Sequence, residues 1–146
     1  MYKNHIFIDT NILIYAFTGK VPKAKECLDY LLKLQGRKLF TSSFCIGTMI
    51  ATLQKTKGDR KKLSKEEIID IVKNAFSKIN ILPFSETDIE SSFAHLGNDM
   101  EDNIQYQIGA KAKCYYFITD DRKGFKFFKN IQVLHLENYL AIKQKI

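Results

Sequence analysis

The stretch 5-HIFIDTNILIY-15 decides how the rest of the chain is read. "HIFI" is a strand candidate, and "NILIYAF" from Asn11 has the length of a short helix that Gly19 ends. Between them stand three polar residues, Asp9, Thr10 and Asn11. A strand that breaks off at a carboxylate and passes directly into a helix leaves three roles open for Asp9. It can cap the helix, accept a phosphoryl group, or hold a metal ion.

Outward from this junction, strand and helix signals keep alternating. Pro22 suits a first helical turn, and the helix it opens places Leu28, Leu31, Leu32 and Leu34 on one side before Gly36 closes it. "KLFTS" (38–42) reads as a second strand and "SFCIGTMIATLQK" (43–55) as a largely apolar helix. Ser64 and Glu67 have capping-box spacing, so a helix starts there and runs to Ile79. "INILPF" (79–84) is a third strand that Pro83 stops, and Ser85 with Asp88 caps a helix over "DIESSFAHL" (88–96). After the break at Gly97, Asn98 with Glu101 has the same spacing ahead of a helix reaching Lys113. "CYYFIT" (114–119) and "IQVLHL" (131–136) are strands, and "ENYLAIKQK" (137–145) is an amphipathic helix. This order predicts an α/β sandwich on a mostly parallel sheet. With no repeat and no linker, the 146 residues predict a single domain over 1–146.

Composition narrows the setting. The chain is 45% hydrophobic with a net charge of +7, and a basic surface attracts polyanions such as nucleic acid. Cys27, Cys45 and Cys114 form no CxxC and lie in apolar neighbourhoods, which predicts buried free thiols rather than disulfides or ligands. The N-terminus lacks the h-region of a signal peptide, and no apolar run approaches the roughly 18 residues that span a bilayer. These features predict a cytoplasmic protein without a membrane partner.

The carboxylates collect where chemistry is expected. In open parallel sheets, functional groups gather beyond the carboxyl ends of the strands. One strand runs into Asp9, another into Asp120 and Asp121, and Asp99 and Asp102 share the first turn of a helix. Two carboxylates about 4 Å apart repel by roughly 4 kcal/mol at an effective dielectric of about 20. Four together require a proton or a divalent cation. Oxygen ligands without His or Cys favour Mg²⁺ or Mn²⁺, ions that serve phosphoryl chemistry. Each acid alone reads as a cap or a turn residue; their joint placement at strand ends points to a metal site.

These residues carry a resemblance. "FIDTNILIY" resembles the opening of PIN-domain nucleases, "DMEDNIQYQIGA" their central acidic helix, and "YFITDDRKGF" their late Thr-x-Asp segment. "FTSSFCIGTMIATLQK" is similar to the segment that bears their second acid. VapC-type toxins are nearest in length and layout, which implies a three-layer PIN-like α/β/α sandwich. The resemblance further implies a Mg²⁺- or Mn²⁺-dependent ribonuclease, a small antitoxin partner and a homodimer. Carried over by position, Asp9, Asp102 and Asp121 would be catalytic metal ligands, with Asp99 a neighbouring ligand. Thr10, Asn11 and Thr119 would hold carboxylates or a water from behind.

One departure stands out. The family's second acid is usually Glu; aligning its helix on Ser42 puts Thr48 there, or Gly47 if the register slips by one. Neither attracts a cation by charge, so metal affinity is expected to fall unless Asp99 or Glu101 compensates. Lys55, Arg122 and Lys123 are candidates for RNA phosphates, and Lys57, Arg60, Lys61 and Lys62 form a basic stretch that reads equally as a solvated loop. Phe125, Phe127 and Phe128 mix with lysines as in single-strand binders, although at least one of them is expected in the core. A phosphatase with an aspartyl nucleophile is disfavoured, because Asp-x-Asp-x-Thr is replaced by Asn11 and Leu13 at its last two places. The resemblance therefore implies hydrolysis of RNA phosphodiesters by a water that Mg²⁺ or Mn²⁺ activates. The alternative is a catalytically weakened PIN domain that binds RNA or an antitoxin.

Overall fold

The computed structural model describes residues 1–55, 62–94, 99–121 and 128–146. Its strands are β1 (Tyr2–Ile8), β2 (Lys38–Ser42), β3 (Asn80–Leu82), β4 (Cys114–Thr119) and β5 (Gln132–His135). They form one parallel sheet in the order β3-β2-β1-β4-β5. The helices are α1 (Thr10–Thr18), α2 (Pro22–Lys33), α3 (Ser43–Leu53), α4 (Lys65–Lys78), α5 (Glu86–Ser92), α6 (Met100–Lys111) and α7 (Tyr139–Lys145). From β1 the chain builds toward β3 on one side, then crosses to β4 and β5 on the other. The reversal falls between β1 and β4, where open α/β sheets form their crevice.

Alternation along the strands sorts the core into two layers. Ile6, Ile8, Tyr116 and Ile118 pack with buried residues of α1, α2, α4 and α7. Phe7 and Phe117 point to the other face, stacked with ring centroids 5.1 Å apart, and pack with Ile104 and Ile108 of α6. Helices on both faces of a parallel sheet make the three-layer α/β/α architecture that the sequence predicts. Gly109 tightens the second layer: a Cβ there would lie 3.3 Å from Ile131 Cδ1 and 3.7 Å from the Phe7 ring. The missing side chain lets α6 lie close on β1.

Several boundaries differ from expectation for visible reasons. β1 begins at Tyr2 because Tyr2 pairs with Cys114 and its N–H donates to Lys113 O at 2.8 Å. α2 stops at Lys33, ahead of Gly36, because Leu34 is already extended; Gly36, at φ +76°, lies in the connection to β2. α5 starts two residues early, at Glu86, and Asp88 inside it accepts from Ser85 N at 2.8 Å. The cap of α6 is Asp99 rather than Asn98: Asp99 Oδ1 accepts from Asp102 N at 3.1 Å. Asn98 lies outside the described residues. Ser64 and Glu67 form the predicted capping box, and all three cysteines are buried and free. Among the described residues no helix is long and apolar enough to cross a membrane.

Candidate active site

Asp9 extends the alternation of β1, so its side chain leaves on the Phe7 face, over the carboxyl end of the sheet. It is 4% exposed. Thr10 N donates to Oδ1 at 2.7 Å and Thr119 Oγ1 donates to Oδ2 at 2.7 Å. The side chain of Gln105 adds a further hydrogen bond. Thr119 Oγ1 in turn accepts from Asp121 N at 3.0 Å, which ties the end of β4 to the end of β1. Burial pushes the Asp9 carboxyl up to about 6. The donors Thr119, Thr10 and Gln105 pull it back, and the charge of Asp121 raises it again. Asp9 caps α1 with one oxygen, and capping alone leaves its costly burial unexplained.

A cleft of about 160 Å³ opens beside it, lined by Asp9, Asp99, Glu101, Asp102, Asp121 and Gln105 together with Asn11, Thr48 and Thr52. No Lys or Arg is among its described lining residues. Thr48 and Thr52 add no free proton: Thr48 Oγ1 donates to Phe44 O at 3.1 Å and Thr52 Oγ1 to Thr48 O at 2.9 Å. Their protons satisfy helix carbonyls, and their lone pairs remain. Gln105 is 5% exposed, and its Oε1 is buried without a hydrogen-bond partner. The cleft is therefore furnished mainly with oxygen acceptors, and the shell of a hydrated divalent cation consists of donors.

Among the described residues no three His, Cys, Asp or Glu groups stand close enough together to cage a bare ion. Mg²⁺ does not need such a cage, since it keeps several waters and commonly binds through one or two carboxylates. The acceptor lining and the orphaned Gln105 oxygen fit an ion of that kind.

Of the residues singled out in the sequence, Asp9, Thr10, Asn11, Thr48, Asp99, Asp102 and Asp121 all line this cleft, and Thr119 braces it from behind. The register question resolves to Thr48, half-buried on the lining, whereas Gly47 is exposed and outside it. Ser42 starts the helix as expected, its Oγ accepting from Cys45 N at 3.1 Å. Lys55 is exposed beyond the end of α3 and is not part of the lining. Arg122, Lys123, Lys57, Arg60, Lys61, Phe125 and Phe127 lie outside the described residues, while Phe128 packs against Tyr106 and Phe117. Sequence reading missed Gln105 and Thr52. The available signal for Gln105 was a polar residue three places after Asp102, between the core positions Ile104 and Ile108.

Residues 6–131 match the family model of the PIN domain. No curated protein matches the chain in sequence. Among solved structures, the chain resembles a chain of the VapBC2 complex from Rickettsia felis bound to a promoter DNA fragment. The TM-score is 0.67 at 18% identity, covering 90% of this chain and 98% of the other. FitAcB from Neisseria gonorrhoeae matches with TM-score 0.61 at 16% identity, over 91% and 99% of the two chains. VapC20 from Mycobacterium tuberculosis, a sarcin-ricin loop cleaving toxin, matches with TM-score 0.59 at 11% identity, over 77% and 86%.

Proposed function

The chain belongs to the PIN-domain family, and from that premise we propose that it is a Mg²⁺- or Mn²⁺-dependent endoribonuclease of the toxin type. The observation that carries this reading is the acceptor-lined cleft at the sheet's switch point, built around a buried carboxylate with no cationic side chain among the described lining residues.

Asp9, Asp102 and Asp121 would hold the ion, one or two of them directly and the rest through its waters, with Asp99 beside them. When bound, it would supply charge neutralisation for the phosphodiester and acidify an attacking water. The chain's own residues prepare that site. Thr10 and Thr119 fix both oxygens of Asp9, so the carboxylate does not reorient as substrate arrives. Asp99 ties Asp102 to the start of α6 through its backbone N–H. Lys55, Arg122 and Lys123 are the candidates for substrate phosphates, consistent with the +7 charge.

The complexes among the structural relatives support a small antitoxin as partner. A groove of about 1020 Å³ beside α4, exposing Ile69 and Phe76 and lined also by Lys62, Lys65 and Lys73, suits an amphipathic segment with acidic residues. Three buried free thiols suit a reducing cytoplasm.

A second reading rests on Thr48. Its hydroxyl is committed to Phe44 O and it brings no charge, so a weakened nuclease that still binds RNA or antitoxin is the alternative. An RNA cleavage assay titrated with Mn²⁺, on wild type and Asp9→Asn, separates the two. Metal-dependent cleavage lost in the variant is the expected result. Equal or absent cleavage in both proteins overturns the nuclease reading.

A further inference from the structure

Gln105 does two things in the cleft. Its side chain helps hold the Asp9 carboxyl in its charged form, and its Oε1 is buried without a partner in a residue that lines the cleft. The sense of the amide is fixed by its neighbour. Turned round, the oxygen would meet the Asp9 carboxylate, acceptor against acceptor, and the NH₂ would face the acceptor-rich cleft. A buried acceptor left unsatisfied is costly, and a residue only 5% exposed cannot turn to bulk water for relief.

What would satisfy it must be a donor or a cation entering the cleft. The described lining residues include no Lys or Arg, the hydroxyls of Thr48 and Thr52 already donate to helix carbonyls, and neither remaining donor on the lining, Thr10 or Asn11, hydrogen-bonds this oxygen. On the reading that this cleft holds a divalent ion, we propose that the side-chain oxygen of Gln105 is one of its cation-holding groups. It is a neutral oxygen that takes over part of the role that Thr48 cannot fill. Mg²⁺ and Mn²⁺ accept amide oxygens, and a neutral ligand adds binding without adding to the repulsion among the carboxylates. The same side chain holds Asp9 in place, so one residue both orients an acid and contributes an oxygen.

The test is Mn²⁺ binding to the purified protein, read by calorimetry and by the electron-spin signal of free Mn²⁺, with no substrate present. Gln105→Leu removes both the donor and the acceptor; Gln105→Glu removes the donor but restores an oxygen and adds charge. Melting of both variants in chelator establishes that they fold. The expected result is Mn²⁺ affinity weakened about tenfold or more in Gln105→Leu, and equal to or tighter than wild type in Gln105→Glu. If Gln105 merely orients Asp9, the Glu variant binds as poorly as the Leu variant, and the proposal is overturned. Unchanged affinity in Gln105→Leu overturns it also, even if the Glu variant fails to fold. Absence of Mn²⁺ binding in wild type overturns the metal reading itself, a different outcome from failure of Gln105 alone.

Discussion

Asp9 and Asp88 both have almost no exposed surface, 4% and 2%, but Asp9 lies deep in the protein and Asp88 near its surface, and the two carboxyls move in opposite directions. Burial penalises the charge of both. At the seam of α5 and α6, Lys111 Nζ reaches Asp88 Oδ1 at 2.8 Å and Ser85 N donates at 2.8 Å. These contacts outweigh desolvation, and the Asp88 carboxyl lies below its ordinary value. At the switch point, hydrogen bonds from Thr119, Thr10 and Gln105 do not outweigh burial, and Asp9 stands at about 6. The seam pairs its buried acid with a cation within the described residues; at the switch point no Lys or Arg is among the described lining residues of the cleft. On the function proposed above, the acid matched by a cationic side chain serves architecture and the one held by polar donors is prepared for a cation that arrives from solution.

The sharpest way to break this contrast is Asp9→Asn. The folded carboxyl stands at about 6 against the ordinary 3.8, so the native state binds more protons than the unfolded chain between those values. Stability of the metal-free protein therefore falls as pH rises from about 4 to about 7, by roughly 3 kcal/mol at most. An asparagine carries no such penalty. Because the shift already includes the Thr119 hydrogen bond, its gain should approach that figure at about pH 7.5 and vanish near pH 4, where the wild-type carboxyl is protonated. Mn²⁺ affinity should drop roughly 100-fold or more, on the order of removing a direct ligand rather than its support. Urea melts at both pH values, with and without Mn²⁺, check it. A variant less stable than wild type at the higher pH without metal would mean Asp9 is a structural acid after all.

Thr48→Glu sharpens the same contrast from the other side by adding an acid to the cleft. A carboxylate roughly 8 Å from another costs roughly 2 kcal/mol at an effective dielectric of about 20. The metal-free variant should therefore melt lower than wild type at neutral pH. Mn²⁺ should bind about tenfold tighter and offset part of that loss, since binding to the native state alone stabilises it by mass action. RNA cleavage should rise with affinity. No gain in either would show that α3 does not face the ion.

The cleft was more legible in the sequence than its support. Strand ends, caps and the order of the acids follow from local rules, so the residue pattern singles out Asp9, Asp99, Asp102 and the pair Asp120 and Asp121, from which the family resemblance picks Asp121. The exchange of the predicted Asn98 cap for Asp99 illustrates the usual limit, because two neighbouring polar residues compete and only backbone geometry decides. Gln105 was missed for another reason: a glutamine on a helix is ordinarily solvated, and its burial goes with the close approach of α6 to the sheet at Gly109. The pairing of Asp88 with Lys111 was equally hidden. It spans two helices, 23 residues apart, whose packing no local pattern encodes.

That pairing provides the smallest effect and the cleanest control. Lys111 is 62% exposed along its side chain, so solvent screens the ion pair and its worth is modest. Asp88→Asn keeps an oxygen for Ser85 N and loses the charge; it should cost about 1 kcal/mol at neutral pH. The sign with pH is opposite to that at Asp9. A folded value below the ordinary one gives stability that is present above the unfolded value and is lost as pH falls through the folded one. Wild type and Asp88→Asn should therefore converge in acid, where wild type and Asp9→Asn also converge but from the other side. Mn²⁺ affinity should be unchanged, because Asp88 lies outside the cleft lining. Paired melts of the two variants from acid to mildly alkaline pH measure both slopes at once. Two slopes of the same sign would show that burial alone, and not the presence or absence of a partner cation, sets the behaviour of these acids.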